Sequence, residues 1–180
     1  MLLEFKTKNY KSFAEEMVFS MTPAPKQKGL DYSILSMKAG SRVRRGLSSA
    51  VIYGPNASGK TNVIGAMDTF RSIVLRGSIR NADVASPNAA ASALELIPNC
   101  NAVKEPTEFL IRFVDNGLMV AYSVKVDLGI FMNSDYQRKI LEEKLVVNEK
   151  QVFSRDGDLT VDLPSVVKEY VNKSIKRKTP

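Results

Sequence analysis

The sequence predicts an α/β protein in which a strand, a glycine turn and a helix are followed by an antiparallel β subdomain. Three observations predict it. "SSAVIYG", residues 48–54, is a short apolar run that ends in glycine. Just beyond it, "TNVIGAMDTFRSIVLRG" places Val63, Met67, Phe70 and Val74 at helical spacing, with Gly77 at the C′ position. Further on, "TEFLIRFVDNGLMVAYSVKVDLG" alternates apolar and polar residues on either side of Asn116-Gly117, a pair suited to the positive φ angles of a type I′ turn.

The remaining elements follow in order. "LLEFKTKNYKSFAEEMVFSM" reads as two short strands joined by a turn near Phe13 to Glu16. Thr22 to Gly46 loses periodicity and collects Pro23, Pro25, Gly29 and Gly40, so a loop is expected there. Residues 78–106 are rich in Ala, Ser, Asn and Pro and read as a long flexible excursion. "EEKLVVNEKQVFSRDGDLTVDL" continues the sheet, with turns at Asn148 to Lys150 and Asp156 to Asp158. Pro164 suits a first helical position, and Val167, Tyr170, Val171 and Ser174 or Ile175 would form one face of a final helix. Four segments result: 1–77 with strands, basic loop, glycine turn and helix; the excursion 78–106; the β subdomain 107–163; and the start of a helical lobe at 164–180.

Composition narrows the chemistry. The 180 residues are 44% hydrophobic and carry 26 basic against 19 acidic side chains, a net charge of +7. One basic group is Lys6, Lys8, Lys11, Lys26, Lys28, Lys38, Arg42, Arg44 and Arg45; another is the tail Lys173, Lys176, Arg177 and Lys178. Such clusters suit phosphate-rich partners or serve as solvated loops. With no histidine and only Cys100, most zinc sites and Ser-His or Cys-His nucleophilic catalysis are excluded, as is any intrachain disulfide. The opening residues lack the charged region and apolar stretch of a signal peptide, and no run approaches the roughly 18 apolar residues of a membrane span. A cytoplasmic protein without membrane contact is therefore expected.

Gly54-Pro55-Asn56-Ala57-Ser58-Gly59-Lys60-Thr61 fits G-x-x-x-x-G-K-S/T at every fixed position. Glycine lets backbone N–H groups turn inward around phosphate oxygens, and the following helix N-terminus adds partial positive charge. Lys60 is then the group for the β- and γ-phosphates, and the Thr61 hydroxyl the ligand for Mg²⁺. The site expected from this motif is Gly54 to Asn62, with ATP and Mg²⁺ as its cofactors.

The inner residues carry a resemblance. "GPNASGKTN" resembles the GxNxSGKS/T form of ABC-type ATPases, and Asn9-Tyr10-Lys11-Ser12-Phe13 looks like the turn that follows the opening strand in the RecF, SMC and OLD-like group. The order of "NYKSF", the P-loop, a small-residue loop, the "PTEFLIRFVDNGLMVAYSVKV" hairpin and "EEKLVVNEKQVFSR" resembles the N-terminal part of bacterial AAA/ABC-hybrid ATPases of the abortive-infection and phage-defence kind. The resemblance implies an ABC-type P-loop lobe, a nucleotide beside Lys11 and Ser12, and ATP held between two heads. It also implies a signature loop, a Walker B strand ending in Asp-Glu and a Q-loop glutamine. Leu35-Ser36 and "GLSSA" at 46–50 lie upstream of the motif and read as loop; Asp115 and Asp127 read as ends of β-hairpin strands, and Gln137 and Gln151 as surface residues. An incomplete lobe is expected, truncated or split, that binds ATP weakly and hydrolyses it negligibly. Its expected partners are a missing C-terminal lobe or second ATPase head, a nuclease or effector subunit, and nucleic acid through the basic clusters. Two alternatives stand beside it: a nucleotide-gated nucleic-acid-binding module without catalysis, and a small P-loop kinase or GTPase, for which "NEKQ" at 148–151 is a poor base motif.

Overall fold

The computed structural model describes residues 1–25, 29–76, 79, 96–102, 105–129, 138–156, 158–162, 164–165 and 167. Its strands are β1 (Leu2–Lys8), β2 (Met17–Ser20), β3 (Ile34–Ala39), β4 (Arg42–Leu47), β5 (Thr107–Asp115), β6 (Leu118–Asp127), β7 (Lys139–Val147), β8 (Lys150–Asp156) and β9 (Asp158–Val161). The one long helix among the described residues is α1 (Lys60–Arg76). Seven strands form a sheet in the order β2-β1-β5-β6-β7-β8-β9, and β3 pairs with β4 separately. Every pairing is antiparallel.

Alternation makes this sheet two-faced. In β1, Phe5 and Thr7 are buried while Glu4, Lys6 and Lys8 point the other way, and a register shift between Leu2 and Glu4 leaves Leu3 in a separate cluster with Ala39 and Val114. On that charged face Arg112 pairs with Glu4 at 3.0 Å, and Lys125 stands between Glu108 at 3.7 Å and Glu142 at 3.2 Å. The apolar face receives α1. Phe70 lies 5.8 Å from the ring centroids of Phe5 and Phe109 and 5.7 Å from Tyr122, and Ala66 and Ile73 complete the contact. Two of the expected turns are present. Asn116 and Gly117 have φ of 46° and 79°, and Asn148 and Glu149 have 49° and 68°, the left-handed pairs that let a two-residue turn follow strand twist.

Four expectations are corrected. The stretch from Thr22 to Gly46 is not all loop, because residues 34–47 form the β3–β4 hairpin, and Leu35-Ser36 and Gly46-Leu47 are strand residues. Gly40, with φ 58°, starts its turn, and Ala39 buries against Leu3 and Val114. The apolar run before the glycine turn forms no strand: Val51 is 84% and Tyr53 90% exposed, since a strand needs a neighbour for its N–H and C=O groups and none of the described strands supplies one. On α1 the buried stripe is Val63, Ala66, Phe70 and Ile73, with Val74 exposed. Finally, the architecture is mostly antiparallel sheet with one helix and not a clear α/β alternation.

Other expectations fall on residues of which only part is described. Ile79 and Leu96 belong to the main core, while residues 80–95 lie outside the described residues. Val167 packs with Val147 and Val152. Tyr170 to Pro180, including the basic tail, lie outside the described residues, as do Gly77, Gln137, Gly157 and Lys26.

Candidate functional site

The glycine loop leads into α1 through a tight turn. Ser58 N–H donates to the Pro55 carbonyl at 3.3 Å, and Asn62 and Val63 N–H groups donate to the Gly59 carbonyl at 2.9 and 3.3 Å to open the helix. Ala57 and Gly59 adopt φ of 62° and 88°. Gly54 to Ser58 and Thr61 are exposed, while Gly59, Lys60 and Asn62 are half-buried. A Cβ on Gly54 would meet the Ser58 hydroxyl at 2.9 Å. Lys60 folds over the loop, its Nζ donating to the carbonyls of Gly54 at 2.8 Å and Pro55 at 2.5 Å. The ammonium therefore lies over the start of the loop, on its Gly54 and Pro55 carbonyls.

A second wall comes from the turn between β1 and β2. Asn62 Nδ2 donates to the Ser12 hydroxyl at 2.7 Å. A Cβ added to Gly59 would lie 3.0 Å from Ser12 Oγ and 3.5 Å from the Phe13 ring, so glycine is required for the turn to approach this closely. Ser12, 50 residues away in sequence, is thus brought against the loop; Lys11 is its neighbour, with its Nζ 5.7 Å from the Tyr10 ring centroid. Tyr10 is fully buried and its hydroxyl meets Thr69 Oγ1 of α1 at 2.9 Å.

The residues behind this turn were not singled out from sequence. Asn9, fully buried with φ 53°, uses its whole side chain: Nδ2 donates to the carbonyls of Ala102 and Glu105, and Oδ1 accepts from Asn99 N–H. Thr107 Oγ1 donates to the Asn9 carbonyl at 2.7 Å. In sequence Asn9 reads only as part of the Asn9–Phe13 turn, and nothing local points to Asn99 or Thr107 as its partners.

The other candidates lie elsewhere. Asp115 ends β5 and accepts from Asn116 Nδ2 in the hairpin turn; Asp127 ends β6 and caps Gly129 N–H at 3.0 Å; Gln151 on β8 donates to Ser154. Among the basic residues, Arg42 and Arg44 share Glu149 at 3.3 and 3.5 Å, and Arg45 faces Asp31 at 3.7 Å. Among the described residues no cluster of three or more acidic or thiol groups could hold a metal, and no helix is long and apolar enough to cross a membrane.

The arrangement fits a phosphate group: a loop whose close approaches a Cβ would fill, a lysine folded over it, and a helix N-terminus behind it. Thr61, exposed at the first turn of α1, would carry the hydroxyl for Mg²⁺ beside a bound polyphosphate.

No curated protein and no solved structure matches the chain. Residues 49–160 match the model of one protein family, a span that takes in the glycine loop, α1 and the strands from β5 but not the Asn9–Phe13 turn. Since this span is well over half of the chain, the protein belongs to the family described as "AAA domain, putative AbiEii toxin, Type IV TA system", and its AAA domain is of the nucleotide-binding ATPase type.

Proposed function

We propose that the protein is the ATP·Mg²⁺-binding lobe of an ABC-like ATPase of the RecF, SMC and OLD-like kind, and that a further lobe or a second head completes its catalytic site. The observation that carries this reading is the packing of the Ser12 turn against Gly59 and Asn62, which adds a second wall to a loop already shaped for phosphate. In this reading the N–H groups of Gly54 and of Asn56 to Thr61 surround the phosphates, Lys60 exchanges its carbonyl partners for β- and γ-oxygens, Thr61 ligates Mg²⁺, and Lys11 and Ser12 flank the nucleotide.

Exposure supports the second half of the proposal. Residues 54–58 lie open to solvent, whereas in-line attack on a γ-phosphate needs a held water and fixed charge opposite the loop. Val51 and Tyr53 are apolar and exposed immediately before it. An apolar groove of about 680 Å³ also runs between α1 and the sheet, lined in part by Met67, Val74, Leu75, Phe113, Val120 and Phe153. Surfaces of this kind mark contacts with another protein body. Binding without appreciable turnover is therefore the expected activity of the chain alone. The family description, which names a Type IV TA system, supports an abortive-infection setting with an effector partner. Nucleic-acid contact through the β3–β4 hairpin is the weaker reading, because Arg42 and Arg44 are already engaged with Glu149.

Titration with a fluorescent ATP analogue in the presence of Mg²⁺ tests the proposal. Lys60→Ala is expected to weaken binding at least about tenfold, the loss of roughly 1.4 kcal/mol of phosphate contact, and Thr61→Ala to remove its Mg²⁺ dependence. Equal binding by wild type and Lys60→Ala would overturn the P-loop assignment.

A further inference from the structure

We propose that Asn9 and Asn99 are positioning residues for the nucleotide, clasping the Lys11–Ser12 turn against the P-loop so that ATP binding and closure of segment 96–102 onto that turn are linked. The proposal rests on the ATP-binding reading above and adds a regulatory contact to the same site.

The clasp is reciprocal. Asn99 N–H donates to Asn9 Oδ1 at 2.9 Å, and Asn99 Nδ2 donates back to the Lys11 carbonyl at 2.7 Å. Lys11 N–H in turn donates to the Ile97 carbonyl at 3.0 Å. Asn9 Nδ2 ties down the far end of the segment through the carbonyls of Ala102 at 2.9 Å and Glu105 at 2.6 Å. Asn99 Oδ1 accepts from Asn101 N–H, which fixes the orientation of its side chain. Asn9 is 0% and Asn99 6% exposed, and the bond between them is fully buried, where water does not compete for it. Both ends of each amide have partners, which makes the pair highly specific in geometry.

The turn needs this restraint. Asn9 and Lys11 hold φ of 53° and 48°, a left-handed backbone that asparagine adopts readily but that costs a lysine energy its surroundings must offset. Lys11 is held through both its N–H and its carbonyl. One residue on, Ser12 accepts from Asn62 in the first turn of α1 and stands over Gly59. Hydrogen bonds on either side of the Lys11–Ser12 peptide bond thus connect segment 96–102, through Asn99 and Lys11, with Ser12 and the helix that begins the P-loop site. If closing the clasp raises ATP affinity, ATP must close the clasp by the same factor.

Hydrogen exchange on the full chain tests this directly. Saturating ATP·Mg²⁺ is expected to slow exchange of the Lys11 and Asn99 amides about tenfold, in the range of typical site-to-site coupling, and to leave the β8 and β9 amides unchanged. Asn99→Asp, nearly isosteric, places an acceptor opposite the Lys11 carbonyl; it is expected to weaken ATP binding about tenfold while unfolding remains cooperative. Exchange at Lys11 and Asn99 that ATP does not alter, together with unchanged affinity in Asn99→Asp, would overturn the clasp even though wild type binds ATP through Lys60. A wild type that shows no Lys60-dependent binding overturns the ATP reading itself, and the clasp with it. Should Asn99→Asp fail to fold, the wild-type exchange comparison decides alone.

Discussion

Ile73→Ala is expected to destabilise the protein far more than Val74→Ala, although the residues are adjacent and the helical spacing of the sequence points to Val74. Ile73 is 2% exposed in the cluster that holds Phe70, Leu96 and Phe109, whereas Val74 is 47% exposed. Truncating the isoleucine removes three carbons from the core, roughly 2.4 kcal/mol at about 0.8 kcal/mol per buried methylene. The cavity left among rigid rings adds to this, for a total of about 3 to 4 kcal/mol. Truncating Val74 loses at most about 1 kcal/mol of half-covered surface, and the better helix propensity of alanine returns roughly 0.5 kcal/mol. For a domain of this size each kcal/mol moves the midpoint by about 3 °C. Thermal unfolding followed by circular dichroism should therefore fall by roughly 10 °C for Ile73→Ala and by no more than about 2 °C for Val74→Ala. Equal shifts, or a larger one for Val74→Ala, would refute the orientation of α1 and with it the direction in which the helix aims the P-loop.

Three further outcomes follow from the same geometry. Gly59→Ala adds a Cβ 3.0 Å from Ser12 Oγ at a φ of 88°, so calorimetric titration should show weakened ATP binding, with a loss of about 1 kcal/mol in stability from the backbone conformation alone. Burial, then donation to Glu143, raises the pKa of Tyr122 above the ordinary tyrosine range. The stabilisation linked to its protonation is present below the unfolded value near pH 10 and is lost as pH rises towards the higher folded one. The stability advantage of wild type over Tyr122→Phe in urea unfolding should thus hold steady up to about pH 10 and shrink as pH rises above it; a difference that stays constant above about pH 10 would refute it. Glu149→Ala removes the partner of Arg42 and Arg44, but Glu149 is 68% exposed, so urea unfolding should change by less than about 1 kcal/mol.

The central hairpin was legible because its signal is local. Alternation in β5 and β6 and a turn pair that tolerates left-handed φ are fixed by neighbouring residues. The β3–β4 hairpin was not, because a separate two-stranded ribbon has little apolar face to display: Arg42 and Val43 are exposed and Arg44 and Arg45 answer acidic residues across space. Val51 to Tyr53 failed for the opposite reason. Its composition suits a strand, but pairing is a property of the neighbour and not of the run itself. The glycine loop was legible residue by residue, and Lys11 and Ser12 were legible only through a resemblance. Asn99 was invisible, since its partners lie 88 and 90 positions away and an asparagine in a polar stretch reads as surface.

That invisibility bears on how the site works. The outer side of the P-loop meets solvent, and its close packing among the described residues is with the Ser12–Phe13 turn. Two asparagines, Asn9 within the turn and Asn99 far along the chain, hydrogen-bond around its left-handed residues. Lys60 gives two of its three N–H donors to the loop's own carbonyls, so in the proposed ATP complex a phosphate competes with those two bonds. In the proposed clasp, the hold on Ser12, and through it on Asn62, traces back to Asn9 and Asn99, so substitutions there test the wall without touching the loop itself.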